Sequence, residues 1–157
     1  MREIERQMLG ALATVARQWG AVPADGQVAE RVGLDIEDSE IRIIYLLGAR
    51  TSELRPADVA DMLGVTRPTL SKSLTRLRNA HLIESTVTEQ DRRSVYVSLS
   101  EEGRDAYRRL VDLGIGLIDE ANADMSKEEL RLVGNFLDRF VRGLGGPAPI
   151  VLPPVPR

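Results

Sequence analysis

Apolar residues in the first twenty positions recur at Ile4, Met8, Leu12, Val15 and Trp19. These steps of three and four trace one face of a helix, which Gly20 and Pro23 close. Residues 20 to 33 lose the periodicity and read as loop. It returns from about Ile36 to Leu47, where Ile41, Ile43, Ile44, Tyr45, Leu46 and Leu47 are apolar nearly all round. A helix of that kind belongs in the middle of a fold, and Gly48 ends it. Pro56 then sits in the first turn of a short helix with Val59, Ala60, Met62 and Leu63 on its apolar side. Gly64 breaks that helix, and Thr66 N-caps the next, again with proline (Pro68) in the first turn. Two short helices joined by Gly64-Val65-Thr66 form a helix-turn-helix pattern, in which the second helix reads DNA.

The pattern next switches to a period of two. Leu82 to Val87 and Ser94 to Leu99 read as strands, with Thr88 to Arg93 as the polar loop between them. That loop tip carries Asp91, Arg92 and Arg93. A helix-turn-helix followed by such a hairpin is a winged helix. Ser100 N-caps a long helix running from about Glu101 to Ala123. Gly114 and Gly116 inside it each cost roughly 1 kcal/mol against alanine, which predicts a kink or a close backbone approach there. Ser126 and Glu129 form a capping box for the last helix, whose stripe is Leu130, Val133, Phe136, Leu137, Phe140, Val141 and Leu144. The tail PAPIVLPPVPR carries five of the eight prolines and predicts extended polyproline II where ordered. The expected fold is mainly α with a small β-hairpin wing.

Composition narrows the chemistry. The 157 residues suffice for one core, and 43% hydrophobic with 29% charged residues is ordinary for a globular chain. No apolar run approaches the ~18 residues that span a bilayer. The first ten residues, MREIERQMLG, have no signal-peptide core, so a cytoplasmic protein without membrane association is expected. The absence of cysteine removes disulfides, thiolate metal sites, a cysteine nucleophile and thiol redox sensing. With His81 as the sole histidine, a zinc site is not expected, nor is any cofactor. There is no phosphate-cradling glycine loop and no nucleophile elbow, and no carboxylate pair is placed by pattern. The chain does not read as an enzyme.

Charge changes the picture more than its total suggests. The net charge is −3, yet Thr66 to Ala80 holds four cations (Arg67, Lys72, Arg76 and Arg78) and no acid, leaving −7 on the rest. With residues set at 100° intervals, Leu70, Leu74 and Leu77 share one side of this helix, and Lys72 and Arg76 fall opposite, flanked by Pro68, Thr69, Thr75 and Asn79. Lysine and arginine reach phosphates and guanine edges, and threonine reaches phosphate or a thymine methyl group. Arg67 sits at the helix N-terminus, where backbone N–H groups also favour phosphate. The candidate DNA-contacting set on this helix is Arg67, Pro68, Thr69, Ser71, Lys72, Thr75 and Arg76.

The stretch LRPADVADMLGVTRPTLSKSLTRLRNAHLIE, followed by DRRSVYVSLSEEG, resembles the multiple antibiotic resistance regulator (MarR) family, and the likeness runs from about residue 4 to 145. The resemblance implies a winged helix-turn-helix over 34–100, flanked by dimerisation helices in 1–33 and 101–145, with 146–157 as a proline-rich tail. It implies a homodimer on a pseudopalindromic double-stranded operator with half-sites about one helical turn apart. It also implies that Arg93 enters the minor groove while Asp91 holds it. Arg92 is then placed on phosphate; a narrow minor groove attracts arginine, and an acid can hold one extended. Members of the family are usually repressors released by small phenolic or other aromatic ligands. Lacking cysteine and having one histidine, this chain departs from the peroxide-sensing and zinc-sensing subtypes, which leaves a ligand-gated or a constitutive regulator. Trp19, Tyr45, Tyr107 and Arg17 could line a ligand site, although core or interface packing is the commoner use of such residues. The competing reading is a winged-helix module that docks protein instead of DNA, which the acidic total charge would suit.

Overall fold

The computed structural model describes residues 2–20, 27–88 and 91–144, with the side chains of 16–20, Gln27, Asp38, Thr88 and 91–94 outside that description. In chain order the elements are α1 (Arg2–Gly20), α2 (Gln27–Arg31), α3 (Asp38–Gly48), α4 (Pro56–Leu63), α5 (Arg67–Asn79), β1 (Ile83–Thr88), β2 (Asp91–Leu99), α6 (Glu101–Ala121) and α7 (Lys127–Gly143). The fold is mainly helical with one antiparallel hairpin, as the periodicities predict.

The core is built around α3. Ile44 is fully buried, and Ile41, Ile43, Leu46 and Leu47 are buried around it. The helix is apolar on nearly every side because neighbours cover nearly every side: α2, α4, α6 and β2 all pack on it. Each such side chain is worth roughly 1.5–3 kcal/mol of burial. Gly48 ends α3 against Tyr107; a Cβ at this position would lie 2.3 Å from the tyrosine ring.

Three expectations change. Residues 20–33 are not all loop, because Gln27–Arg31 forms the short helix α2, with Ala29 and Val32 in the core. Arg109 of α6 holds its C-terminal end by donating from Nη1 to the Val32 carbonyl at 2.5 Å. Five residues are too few to show a helical period. The hairpin loop is also shorter than the alternation suggests. β2 begins at Asp91, so Asp91, Arg92 and Arg93 lie on the strand and not at a loop tip. The pairing moves from Val87↔Val95 to Thr88↔Asp91, which puts Arg92, Arg93 and Ser94 in a bulge of β2. In addition Leu54 bridges Val97 on the outer edge of β2, with backbone hydrogen bonds of 3.1 and 2.8 Å.

The third change concerns glycine. A Cβ on Gly114 would make only ordinary contact, 3.7 Å from Tyr45 Oη, and one on Gly116 would meet nothing within 4 Å among the described residues. The close approach is at Gly103, where a Cβ would stand 1.9 Å from the Leu82 carbonyl oxygen. Ser100 caps the same turn by accepting the Gly103 N–H at 3.0 Å. At the far end of the chain Ser126 and Glu129 form the expected capping box of α7. The proline-rich tail, 147–157, lies outside the described residues.

Candidate nucleic-acid interface

The helix-turn-helix is formed by α4 and α5. Gly64 terminates α4 in a left-handed conformation, φ 65°, which suits glycine. Two residues later Thr66 caps α5 by accepting the Thr69 N–H at 3.3 Å. Leu70, Ser73, Leu74 and Leu77 are the buried side of α5 and fix its rotation. As a result Arg67, Pro68, Thr69, Ser71, Lys72, Thr75 and Arg76 are all exposed. The structure brings the seven helix candidates together on one open surface, beside a groove of about 350 Å³ between α3 and α5 that Arg42, Lys72 and Arg76 help to line.

The four cations of α5 are not equivalent. Arg67 and Lys72 make no hydrogen bond or ion pair among the described residues. Arg78 donates from Nη2 to Ser85 Oγ at 3.2 Å, tying the helix to β1. Arg76 is held by two acids at the start of α3, Glu40 inside the helix and Glu37 at its N-cap: its Nε binds Glu40, and its Nη2 lies 3.0 Å from Glu37 Oε2. Glu40 is fully buried and Glu37 exposed. The hydrogen bond to Glu40, ahead of the surrounding charges, raises the Arg76 pKa above its ordinary value, so the guanidinium stays charged. Sequence reasoning missed both acids as partners of this helix. Their E-x-x-E spacing signals a helix start, and Glu40 does accept the Glu37 backbone N–H at 3.2 Å, but nothing in the spacing points to Arg76.

The wing candidates are placed by backbone alone, Asp91 paired with Thr88 and the two arginines in the bulge. Their side chains, and with them the expected Asp91–Arg93 contact, lie outside the described residues. Close to the bulge, Tyr96 pairs with Thr86 and is covered by Arg55, the residue at the N-cap position of α4, which packs over the ring at 5.4 Å with Nη2 donating to Tyr96 Oη at 3.1 Å.

A model described as the MarR family matches residues 34–94, from just before the N-cap of α3 into the wing. The HTH-type transcriptional regulator FarR of Neisseria gonorrhoeae is 33% identical over 111 residues, spanning 69% of this chain and 73% of that protein. The chain belongs to the MarR family. Among solved structures, Streptococcus pneumoniae FabT in complex with DNA matches with a TM-score of 0.66 at 24% identity, covering 92% of this chain and 96% of that one. NadR in complex with 4-hydroxyphenylacetate matches with a TM-score of 0.59, also at 24% identity, over 88% of this chain and 92% of that one. At these identities the two structures establish the shared fold. This MarR-family chain is thus a winged-helix regulator, with α5 in the place of the recognition helix.

Of the residues considered for a ligand site, Tyr45 donates to the Leu110 carbonyl at 2.8 Å and meets Tyr107 edge-on, ring centroids 6.0 Å apart. Both are packing residues of the α3–α6 contact. The side chains of Arg17 and Trp19 lie outside the description.

Proposed function

We propose that this MarR-family regulator acts as a homodimer on a pseudopalindromic operator, with α5 in the major groove and the wing arginines in the flanking minor groove. The observation that carries the reading is α5 itself. It has no acid, its leucines are buried, Lys72 and Thr75 stand exposed on the opposite side, and Arg67 and Thr69 are exposed in its first turn. In this reading residues 34–100 contact DNA, and 1–33 with 101–145 hold the two subunits together. Support for the dimer comes from apolar side chains that this chain leaves uncovered, among them Ile4 and Leu9 on α1, Ile118 on α6, and Val133 and Leu137 on α7. The regulator represses, and a small aromatic ligand releases it; NadR, crystallised with 4-hydroxyphenylacetate, supplies the chemical class to try first.

Selection of bound duplexes from a random-sequence pool at moderate salt tests this. Enrichment of an inverted repeat with half-sites about one helical turn apart is the expected result. Failure to enrich any sequence over the starting pool overturns DNA recognition and favours a protein-docking role for the winged helix. Repeating the selection with 4-hydroxyphenylacetate and other aromatic acids tests release, and unchanged enrichment with all of them makes the regulator constitutive.

A further inference from the structure

Arg76 faces two carboxylates in contrasting surroundings. Glu40 is completely buried and takes Nε, while its other oxygen accepts the Glu37 backbone N–H at 3.2 Å. Glu37 is 62% exposed and takes Nη2 at 3.0 Å. These contacts differ in how easily they break. Withdrawing the cation from a buried carboxylate leaves that charge uncompensated in the interior and is strongly destabilising. An exposed pair gains little, is screened by salt, and exchanges readily with another anion.

Position makes the exposed contact matter. Arg76 follows Lys72 by one turn on the outer face of α5, so a duplex reaching Lys72 also reaches the outer edge of Arg76. Phosphate and carboxylate are alternative partners for the same guanidinium edge. We infer that Glu37 is a built-in competitor of the DNA backbone for Arg76 Nη2, while Glu40 is the positioning residue that keeps the guanidinium in place as Nη2 changes partner. This rests on the DNA-binding reading above. Without DNA, Glu37 neutralises a cation that has no phosphate. On binding it is displaced, and its displacement subtracts from affinity.

The test uses the full chain and the duplex enriched from the random pool, with affinity measured by fluorescence anisotropy. Glu37→Gln removes the charge of an exposed residue and should bind about two- to fivefold tighter, the range of an exposed ion pair. Glu40→Gln keeps an acceptor for the Glu37 N–H but loosens Arg76, and should bind more weakly with its melting transition still cooperative. The deciding variant is Glu37→Gln in a Glu40→Gln/Arg76→Met background, where the Arg76–Glu40 pair is replaced by neutral groups that avoid a stranded charge at the buried Glu40 position. There the gain should vanish. If Glu37→Gln binds no tighter in the parent chain, or gains as much in the neutral background, Glu37 does not act through Arg76 and the inference is overturned. A pool that yields no duplex is a different result, because it removes the DNA-binding reading itself.

Discussion

Two tyrosines meet beneath α3 and treat their hydroxyl groups differently. Tyr45 Oη donates to the Leu110 carbonyl, whereas Tyr107 Oη is buried with no hydrogen-bond partner among the described residues. Tyr45→Phe should therefore cost about 0.5–1.5 kcal/mol, the worth of a net hydrogen bond. Tyr107→Phe removes a hydroxyl that burial penalises, and should leave stability unchanged or raised. Urea denaturation of the two variants checks the contrast, and a larger loss for Tyr107→Phe would mean that its hydroxyl has a partner after all. Burial raises the pKa of both tyrosines above the ordinary 10.0, for Tyr45 with the neighbouring Tyr107 adding to the effect. A raised folded pKa favours the protonated form in the fold, so the stability it contributes is complete below pH 10 and falls away above it. The parent chain should lose stability in that alkaline range, and each phenylalanine variant should lose less.

At the scale of elements, the joint between α5 and the wing sets their relative orientation, on which the proposed contact of both with one duplex depends. The chain turns at His81 through a left-handed conformation, φ 58°, one that histidine adopts more readily than most residues. Ser100 then reaches back and donates to the His81 carbonyl at 2.5 Å, and its backbone N–H donates to Leu82 O at 3.2 Å. Gly103 completes the clamp by bringing α6 against that same Leu82 carbonyl, which is backbone and cannot swing aside. Gly103→Ala should destabilise by about 1–3 kcal/mol, as overpacking a tight contact does. Gly114→Ala and Gly116→Ala, with no such contact, should be neutral or stabilising through helix propensity alone. Thermal melts of the three variants separate these outcomes. The same elements show what sequence can convey. α5 was readable because its cap, its proline and its leucine spacing are all local, and the placement of Lys72 and Thr75 on its open face followed. α2 was not, because five residues leave no period to detect. The start of β2 was misplaced because it depends on a bulge that breaks alternation. The Arg76–Glu40 pair joins residues 36 apart in sequence, so only the packing of α5 on α3 brings them together. The glycine that packs tightly was likewise hidden, since helix interruption marks Gly114 and Gly116 while the contact that demands glycine is tertiary.

At the scale of the whole molecule, the winged unit and the terminal helices obey different economies of burial. Around α3 the large apolar side chains are covered, whereas α7 has no buried residue among those described, although Ser126 and Glu129 cap it well and Phe136 stacks on Phe140 with centroids 5.9 Å apart. Helix capping and a stacked pair do not keep a seventeen-residue amphipathic helix ordered with its stripe in water, since most helical stability comes from packing of that stripe. A second copy of the chain offers the same uncovered faces on α1, α6 and α7, which is the condition for a two-fold interface. Leu137→Glu discriminates between a bare helix and a covered one. Leu137 is 41% exposed in the single chain, so in a monomer a charge there costs little. Within a dimer the same charge is stranded in an apolar seam and dissociates it. Sedimentation should show the parent as a dimer and Leu137→Glu shifted to monomer, with the buried core of the winged unit still giving a cooperative melt. DNA affinity should fall steeply, because a monomer engages one half-site and loses the effective concentration that links the second. An unchanged sedimentation coefficient for Leu137→Glu would place the subunit contact elsewhere, and a parent chain that sediments as a monomer would remove the dimer from the account of operator binding.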